Sequence, residues 1–348
     1  MPKFSREILV ELSEKLFETA GVRADDAATL ATILVKAEER GYAGHGVVRV
    51  PFYLERIESG QVRVDGEPKI VRDGKATAVL DGDLCFGQVA GVRAVELAIS
   101  KAEQHGIGAV GLIRSGHIGR LADYVEIAAD RGMIGIAMVS VGGSVAPYGG
   151  REPVTGTNPV AYAIPGPDGQ HILLDFATAA MSQGDLQHRV AIGESIPPGV
   201  MIDAAGNPTT DYKTYAGPPR GALLPFGGYK GSGLLLMADI LGGLLSGDGP
   251  GIDRGKRGQA GGNAALFQVI DVAEFQPLEA FEREVASFAD FVRSRPPAPG
   301  FDAVLVPGDR ARLRAQRSDH EGISVADGTW AQIQASAEKL GVPIPNHG

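Results

Sequence analysis

The apolar positions of the first sixty residues recur at intervals of three and four. Ile8, Leu9, Leu12, Leu16 and Phe17 share one helical face behind a capping Ser5 and ahead of Gly21, which predicts an amphipathic helix. A second helix is expected over 25–40, closed by Gly41, and a third over 49–57, where Pro51 suits a first turn. From Lys69 onward the text changes to short β-like runs. KIVRDG and ATAVLDG read as strands, followed by a helix over 89–104 and the apolar strand GAVGLI. A helix over 120–130 leads to a strand over 134–141, the segments 159–164 and 171–175 read as paired strands, and 234–245 as a buried helix. The expected architecture is an α/β core with added helices. Pro296, Pro297 and Pro299 mark a linker before the C-terminal segment.

At 348 residues the chain has room for about two domains. Apolar residues make up 44% and charged residues 22%, an ordinary balance that argues against disorder. With 33 basic and 42 acidic residues the net charge is −9, which repels a phosphate backbone. The basic residues Arg310, Arg312, Arg314 and Arg317 stand between Asp309 and Asp319 and read as a solvated face, so no nucleic-acid partner is expected. A single cysteine, Cys85, excludes an intrachain disulfide and a paired-cysteine metal site. Charges interrupt every apolar stretch of the N-terminus, and the apolar segment 234–245 contains Asp239 and is too short for a bilayer. A soluble, cytoplasmic protein without membrane contact is expected.

Gly106, Gly108 and Gly111 spell GxGxxG, but here the helix precedes and the strand follows, the reverse of a dinucleotide fingerprint. Gly106 reads instead as a helix C-cap. The lysine of GGYKGSG stands before glycine rather than Ser or Thr, so there is no P-loop. The seven histidines form no HExxH or HxH pattern, and no metal is expected.

Chemistry gathers in five other places. GHGVVRVPFY sets His45, Arg49 and Tyr53 four residues apart, so that one helical face and its N-terminal extension would carry all three. A guanidinium holds a carboxylate in a bidentate fork, and an adjacent imidazole exchanges a proton. The same spacing fits a buried structural histidine. SGHIGRLADY puts His117 at a strand-to-helix turn, where Gly116 and Gly119 leave the backbone bare for a ligand or form a plain capping turn. PYGGREPVTGTNP concentrates turn residues around Thr157, and DFATAAMSQGDL follows Asp175 with small side chains that leave room for a ligand or for tight packing. LPFGGYKGSG places Lys230 at a helix start, suited to a phosphate or to solvent.

Taken in order, GHGVVRVPFY, SGHIGRLADYVEIAADRGMIG, APYGGREPVTGTNPVAYAIP, DFATAAMSQGDL and LPFGGYKGSGLLLMADILGGLLSG resemble the type-2 malate/L-lactate dehydrogenase family, over about residues 5–340. That family includes ureidoglycolate dehydrogenase, diketogulonate reductase and cyclic-imine carboxylate reductases. The resemblance implies a non-Rossmann NAD(P)-binding mixed sheet, NAD or NADP as cofactor, a small-molecule carboxylate substrate and a homodimer. It assigns His45 as acid/base, Arg49 as carboxylate holder, His117 beside the nicotinamide with a share of the proton work, and Asp185 as a carboxylate orienting the histidine. Tyr53 and Thr157 match substrate-contacting positions. Gly119, Ser140, Asp175, Ala177, Gln183, Gly184, Lys230, Gly231 and the loop from Pro307 and Gly308 to Arg310 match cofactor contacts. Three positions depart from the pattern: Gly44 stands where serine is usual, Val139–Ser140 replaces Thr-Asn, and Ala179 replaces a serine.

The resulting expectation is hydride transfer between the nicotinamide and C2 of a small 2-oxo acid, 2-hydroxy acid or cyclic 2-imino acid. The other class of reading is a catalytically impaired cofactor-binding or scaffold protein of the same fold. Residues 121–289 are expected to form the NAD(P)-binding domain, and residues 1–120, completed by 290–348, the part carrying His45.

Overall fold

A computed structural model of the chain describes residues 1–191, 193–258 and 262–344. It begins with β1 (Lys3–Phe4), α1 (Arg6–Thr19) and α2 (Ala24–Glu39), then a single 3-10 turn at Ala43–His45 and α3 (Arg49–Glu58). β2 (Lys69–Asp73) and β3 (Thr77–Asp81) lead into α4 (Gly87–His105), β4 (Ile107–Ser115), α5 (Ala122–Ala129) and β5 (Met133–Ser140). β6 (Val160–Ile164), β7 (Ile172–Phe176) and α6 (Gln183–Ala191) come next. Three short strands, β8 (Met201–Ile202), β9 (Pro208–Thr209) and, after α7 (Tyr212–Ala216), β10 (Ala222–Leu223), form a small sheet of their own. α8 (Tyr229–Asp239) runs into a π-helical segment, Ile240–Leu244. β11 (Asn263–Asp271), α9 (Leu278–Arg293), α10 (Asp309–Glu321), β12 (Ile323–Ser324) and α11 (Asp327–Leu340) complete the order.

Local signals act where the sequence placed them. The Ser5 hydroxyl accepts from the Ile8 N–H at 3.3 Å and starts α1. Gly106, at φ 74°, caps the C-terminus of α4. β6 and β7 pair antiparallel as expected.

Seven strands make one mixed sheet in the order β2-β3-β4-β11-β5-β6-β7. Only β3 and β4 run parallel, and β11 enters between β4 and β5, antiparallel to both. The two faces are covered by different helices, and glycines of opposite parity on β4 show which. A Cβ at Gly108 would overlap the Ala98 carbonyl of α4, whereas one at Gly111 would press on Ser246, just past the π segment. α4 and α5 therefore pack on one face, and α8 with its π extension on the other.

β1 pairs with β12, and α10 and α11 pack against α2 and against α1 and α3, so the chain's two ends build one helical layer. A single apolar core runs through that layer and the sheet, from Phe4 to Trp330. β4 and its sheet partner β11 lie on opposite sides of the 120/121 position. A smaller cluster around Val145, Leu186, Met201, Tyr215 and Leu235 holds the lobe that carries the short strands.

The helix over 234–245 is also not buried all round. Leu235, Ala238, Gly242 and Gly243 face inward, whereas Leu236, Met237, Ile240, Leu244 and Leu245 are exposed, because only one flank meets the sheet. No helix among the described residues is long and apolar enough to cross a membrane.

Candidate active site

The site forms where the helical layer meets the edge of the large sheet. The 3-10 turn at Ala43–His45 is held from below by Glu38 of α2, whose carboxylate accepts from the Val47 N–H at 2.9 Å. A Cβ at Gly46 would overlap that carboxylate, so a larger residue there would displace the Glu38 side chain from the turn. Burial pushes the Glu38 carboxyl up to about 7. α3 begins four residues after His45, and the Arg49 side chain turns back so that its Nε donates to the Gly44 carbonyl at 2.7 Å. Arg49 also lies over the Phe52 ring, 5.0 Å from its centroid.

His117, in the turn after β4, stacks parallel to His45 with ring centroids 6.0 Å apart and planes 10° from one another. Behind it, the Tyr53 hydroxyl meets His117 Nδ1 at 2.8 Å and accepts from Gln88 Nε2 at 2.6 Å. Tyr53 is 1% exposed, so its hydroxyl is spent on orienting His117. Tyr53, expected against the substrate, lies on the same helical face as Arg49, and the approach of α4 turns its hydroxyl toward His117 and Gln88.

A cleft of about 490 Å³ opens in front of His45. One wall is the segment Tyr42–His45, and another is Gly119 with Arg120. The remainder is Thr157, Asp175, the small residues Ala177, Ala179 and Ala180, and Gly184 with Asp185 at the start of α6. The segments around Thr157 and Ala177 are tied together, since the Thr157 carbonyl accepts from the Thr178 N–H at 2.8 Å and from its hydroxyl at 3.0 Å. Gly44 and Gly184 pass close to one another, and a Cβ at Gly44 would stand 3.8 Å from the Gly184 Cα, an ordinary contact. Space therefore does not dictate glycine at 44.

The expected residues fall into three groups. His45, Gly119, Thr157, Asp175, Ala177, Gly184 and Asp185 line the cleft, with Arg49 and His117 directly adjoining. Gln183 starts α6, and its side chain accepts from the Tyr215 hydroxyl at 3.2 Å. Lys230 is exposed at the start of α8, a few residues past the bridge that pairs Ala179 with Pro225. Gly231 is required because a Cβ there would overlap the Phe226 carbonyl. Pro307, Gly308 and Arg310 lie farther along β7, where the Pro307 carbonyl accepts from the Leu173 N–H at 3.1 Å. Ser140 stands apart. It is fully buried, and its hydroxyl is engaged by Asp239 and by Arg254 Nη2 at 3.0 Å.

Sequence reasoning missed Arg120, Gln88, Glu38 and Tyr42. Arg120 lines the cleft, pairs with the buried Asp123 at 2.8 Å and lies over the Tyr42 ring. An arginine directly after the SGHIG turn and a glutamine in the apolar stretch of α4 were the available signals.

Electrostatics set the resting protonation states. Burial, together with the charge of Arg49, lowers His45 to about 4 despite the opposing field of Asp185, so the imidazole is neutral at pH 7. Burial, Arg49 and His45 also drive His117 well below its ordinary value. Among the described residues no three His, Cys, Asp or Glu side chains gather to hold a metal ion.

The family model described as malate/L-lactate dehydrogenase matches residues 4–334. The chain belongs to that family. It is 36% identical over 344 residues to the NAD(+) ureidoglycolate dehydrogenase of Escherichia coli O157:H7, covering 96% of each chain. Among solved structures it resembles malate dehydrogenase from Pyrococcus horikoshii OT3, with a TM-score of 0.90, 34% identity and 99% and 97% of the two chains covered. It also resembles delta1-piperideine-2-carboxylate reductase from Pseudomonas syringae pvar. tomato, with a TM-score of 0.83, 31% identity and 97% and 100% covered. The protein is accordingly an oxidoreductase, and its family implies a nicotinamide cofactor and a small acid as substrate.

The cleft of this dehydrogenase fits such a cofactor. Its volume is within the range of ligand sites, and glycine and alanine form part of its wall where larger side chains would fill the space. Asp175 and Leu173 are two residues apart on β7 and so share a face. Leu173, Gly308 and Arg312 border a second cavity of about 600 Å³.

Asp175 carries a cost in the folded protein. Its carboxylate accepts from the Ala122 N–H at 2.9 Å, yet burial raises its pKa to about 6. The folded state then binds this proton more tightly than the unfolded chain, so the associated stability is present at low pH and is lost as pH rises from about 4 through about 6. Asp175→Asn is expected to stabilise the protein by about 2 kcal/mol at pH 8 and hardly at all at pH 4. Denaturant midpoints at the two pH values check this, and an equal shift at both would refute it.

Proposed function

We propose that the protein transfers a hydride between NAD(P) and C2 of a small 2-hydroxy or 2-oxo acid or cyclic 2-imino acid, with His45 exchanging the proton. The observation that carries this reading is Arg49. Its guanidinium is partly buried beside His45, and among the described residues no carboxylate pairs with it. A buried cation without a counter-ion is costly, and here the missing partner is supplied by the substrate's own carboxylate. With Nε already donating to Gly44, the two terminal nitrogens remain for a bidentate grip.

Binding of that anion also prepares His45. The positive charge of Arg49 is one of the causes that hold the imidazole neutral, and a carboxylate placed on it cancels part of that field. The proton affinity of His45 rises when substrate is in place, with Asp185 adding to the effect. In the oxidative direction His45 takes the hydroxyl proton as C2 becomes a carbonyl, and in reduction it returns one to the same oxygen or to an imine nitrogen. The nicotinamide, when bound, accepts or supplies the hydride.

Asp175, Ala177, Gly184, Lys230 and the loop Pro307, Gly308 and Arg310 would hold the cofactor along β7 and the α8 start, and Thr157 would meet the substrate. Arg312 pairs with Asp309 and donates to the His171 carbonyl, which leaves Arg310 as the exposed guanidinium of that loop for a ribose phosphate. A homodimer is part of this reading, and the exposed apolar flank of α8 supports it.

The test is NADH and NADPH absorbance against 2-oxo acids and cyclic imines. Turnover of acids but not of their amides is expected, and Arg49→Lys should raise KM about tenfold because an ammonium cannot reproduce the fork. An amide turned over as well as its acid would remove Arg49 from the proposed role. Cofactor binding without turnover of any substrate would favour the scaffold reading.

A further inference from the structure

Gln88 is wholly buried at the start of α4, and its Oε1 has no hydrogen-bond partner. A buried amide oxygen without a partner costs stability. Its surroundings connect it to the active site. The N-terminus of α4 supports the turn that bears His117: the Gly116 N–H donates to the Cys85 carbonyl at 2.8 Å, and a Cβ at Gly87 would press on the Gly116 and His117 carbonyls. A Cβ at Gly119 would come within 3.0 Å of Gln88 Nε2, so the glycine of the turn lies over the amide.

We propose that Gln88 is a positioning residue that acts through Tyr53 to fix the tautomer of His117. The chain of bonds has one direction. Gln88 Nε2 donates to the Tyr53 oxygen, the single phenolic proton then points to His117 Nδ1, and Nδ1 serves as acceptor. The imidazole therefore carries its hydrogen on Nε2. Reversing the amide would satisfy Oε1 but bury the NH2 group, which has two hydrogens to place, without an acceptor, so the orientation with the lone unsatisfied oxygen costs less. Arg49, Arg56 and the stacked His45 all face His117 and disfavour a second proton on it. His117 is held neutral, as a donor through Nε2, before any ligand arrives. The kinetic consequence alone rests on the proposed hydride transfer, with the share of the proton work that the family resemblance implies for His117, since the tautomer is a property of the free protein.

The experiment is 15N NMR of histidine-labelled protein without cofactor, with His117 assigned by substitution, on the parent chain and on Gln88→Leu, Gln88→Glu and Tyr53→Phe. The parent is expected to show a protonated Nε2 and an unprotonated Nδ1. Gln88→Glu places an acceptor where the donor was, reverses the phenol and moves the hydrogen to Nδ1. Tyr53→Phe removes the link and mixes the two forms, and it serves alone if the Gln88 variants fail to fold. In turnover, Gln88→Leu should lower kcat about tenfold with KM for the dinucleotide within twofold. A parent His117 protonated on Nδ1, or a tautomer unchanged in Tyr53→Phe, overturns the proposal. A tautomer that shifts as described with no change in kcat would uphold the positioning and remove His117 from the proton work.

Discussion

Replacing His45 with alanine is expected to lower kcat by about a hundredfold or more while leaving dinucleotide affinity nearly unchanged. The reasoning is geometric first. His45 is the only imidazole among the described cleft-lining residues, and it adjoins Arg49, the residue proposed to hold the substrate carboxylate one bond from the reacting carbon. Its lowered pKa of about 4 then makes it a neutral base at pH 7, and pairing of Arg49 with an anion raises its proton affinity toward the range useful for exchange. His117 is stacked behind it and is oriented by Tyr53, so it does not take over the role when His45 is removed. Single-turnover kinetics with isotopically labelled hydride, together with cofactor titration, separate the chemical step from binding. Loss of activity in His117→Ala with none in His45→Ala would reverse the assignment.

The second large effect concerns stability. Arg254 is 2% exposed; its Nε donates to Asp248 at 2.8 Å, its Nη1 to the Ser140 carbonyl at 2.6 Å and its Nη2 to the Ser140 hydroxyl at 3.0 Å. That hydroxyl donates in turn to Asp239, at the end of α8. The network fastens the end of β5 to α8 and to the segment 248–254, with burial lowering the Arg254 pKa from its ordinary value. Arg254→Ala removes the nearer cation from the buried Asp248, which keeps only the longer contact to Arg257 at 3.7 Å, and takes positive charge away from the buried Asp239, a loss of about 3–5 kcal/mol. A large fall in the urea midpoint is expected, and a midpoint within error of the parent would show that the network contributes nothing. The cluster also accounts for Ser140, whose hydroxyl is fully occupied in holding the scaffold.

Local physics was legible in the chain. Helices α1 to α3 follow from apolar spacing, Ser5 and Pro51 act at helix starts, and Gly106 ends α4 because only a residue without Cβ adopts its φ of 74° easily. The motifs also identified the cleft's residue types, since His45, Gly119, Thr157, Asp175, Ala177 and Asp185 do converge.

What the sequence left open depends on partners far away in the chain. Nothing in a period-two pattern says which strand lies beside which, so the insertion of β11 between β4 and β5 came only from long-range pairing. A four-residue spacing put Tyr53 in line with His45 and Arg49, but the approach of α4 turned its hydroxyl toward His117 and Gln88. Burial of Arg254 is equally invisible in a sequence, because a charged residue is stable inside only where Asp248 and Ser140 are brought to meet it. The sequence by itself determined the elements and the chemistry available to the site. The tertiary structure decided which of those groups face the cleft and which are consumed in holding it, because desolvation and hydrogen bonding are set by neighbours that adjacency in the chain does not supply.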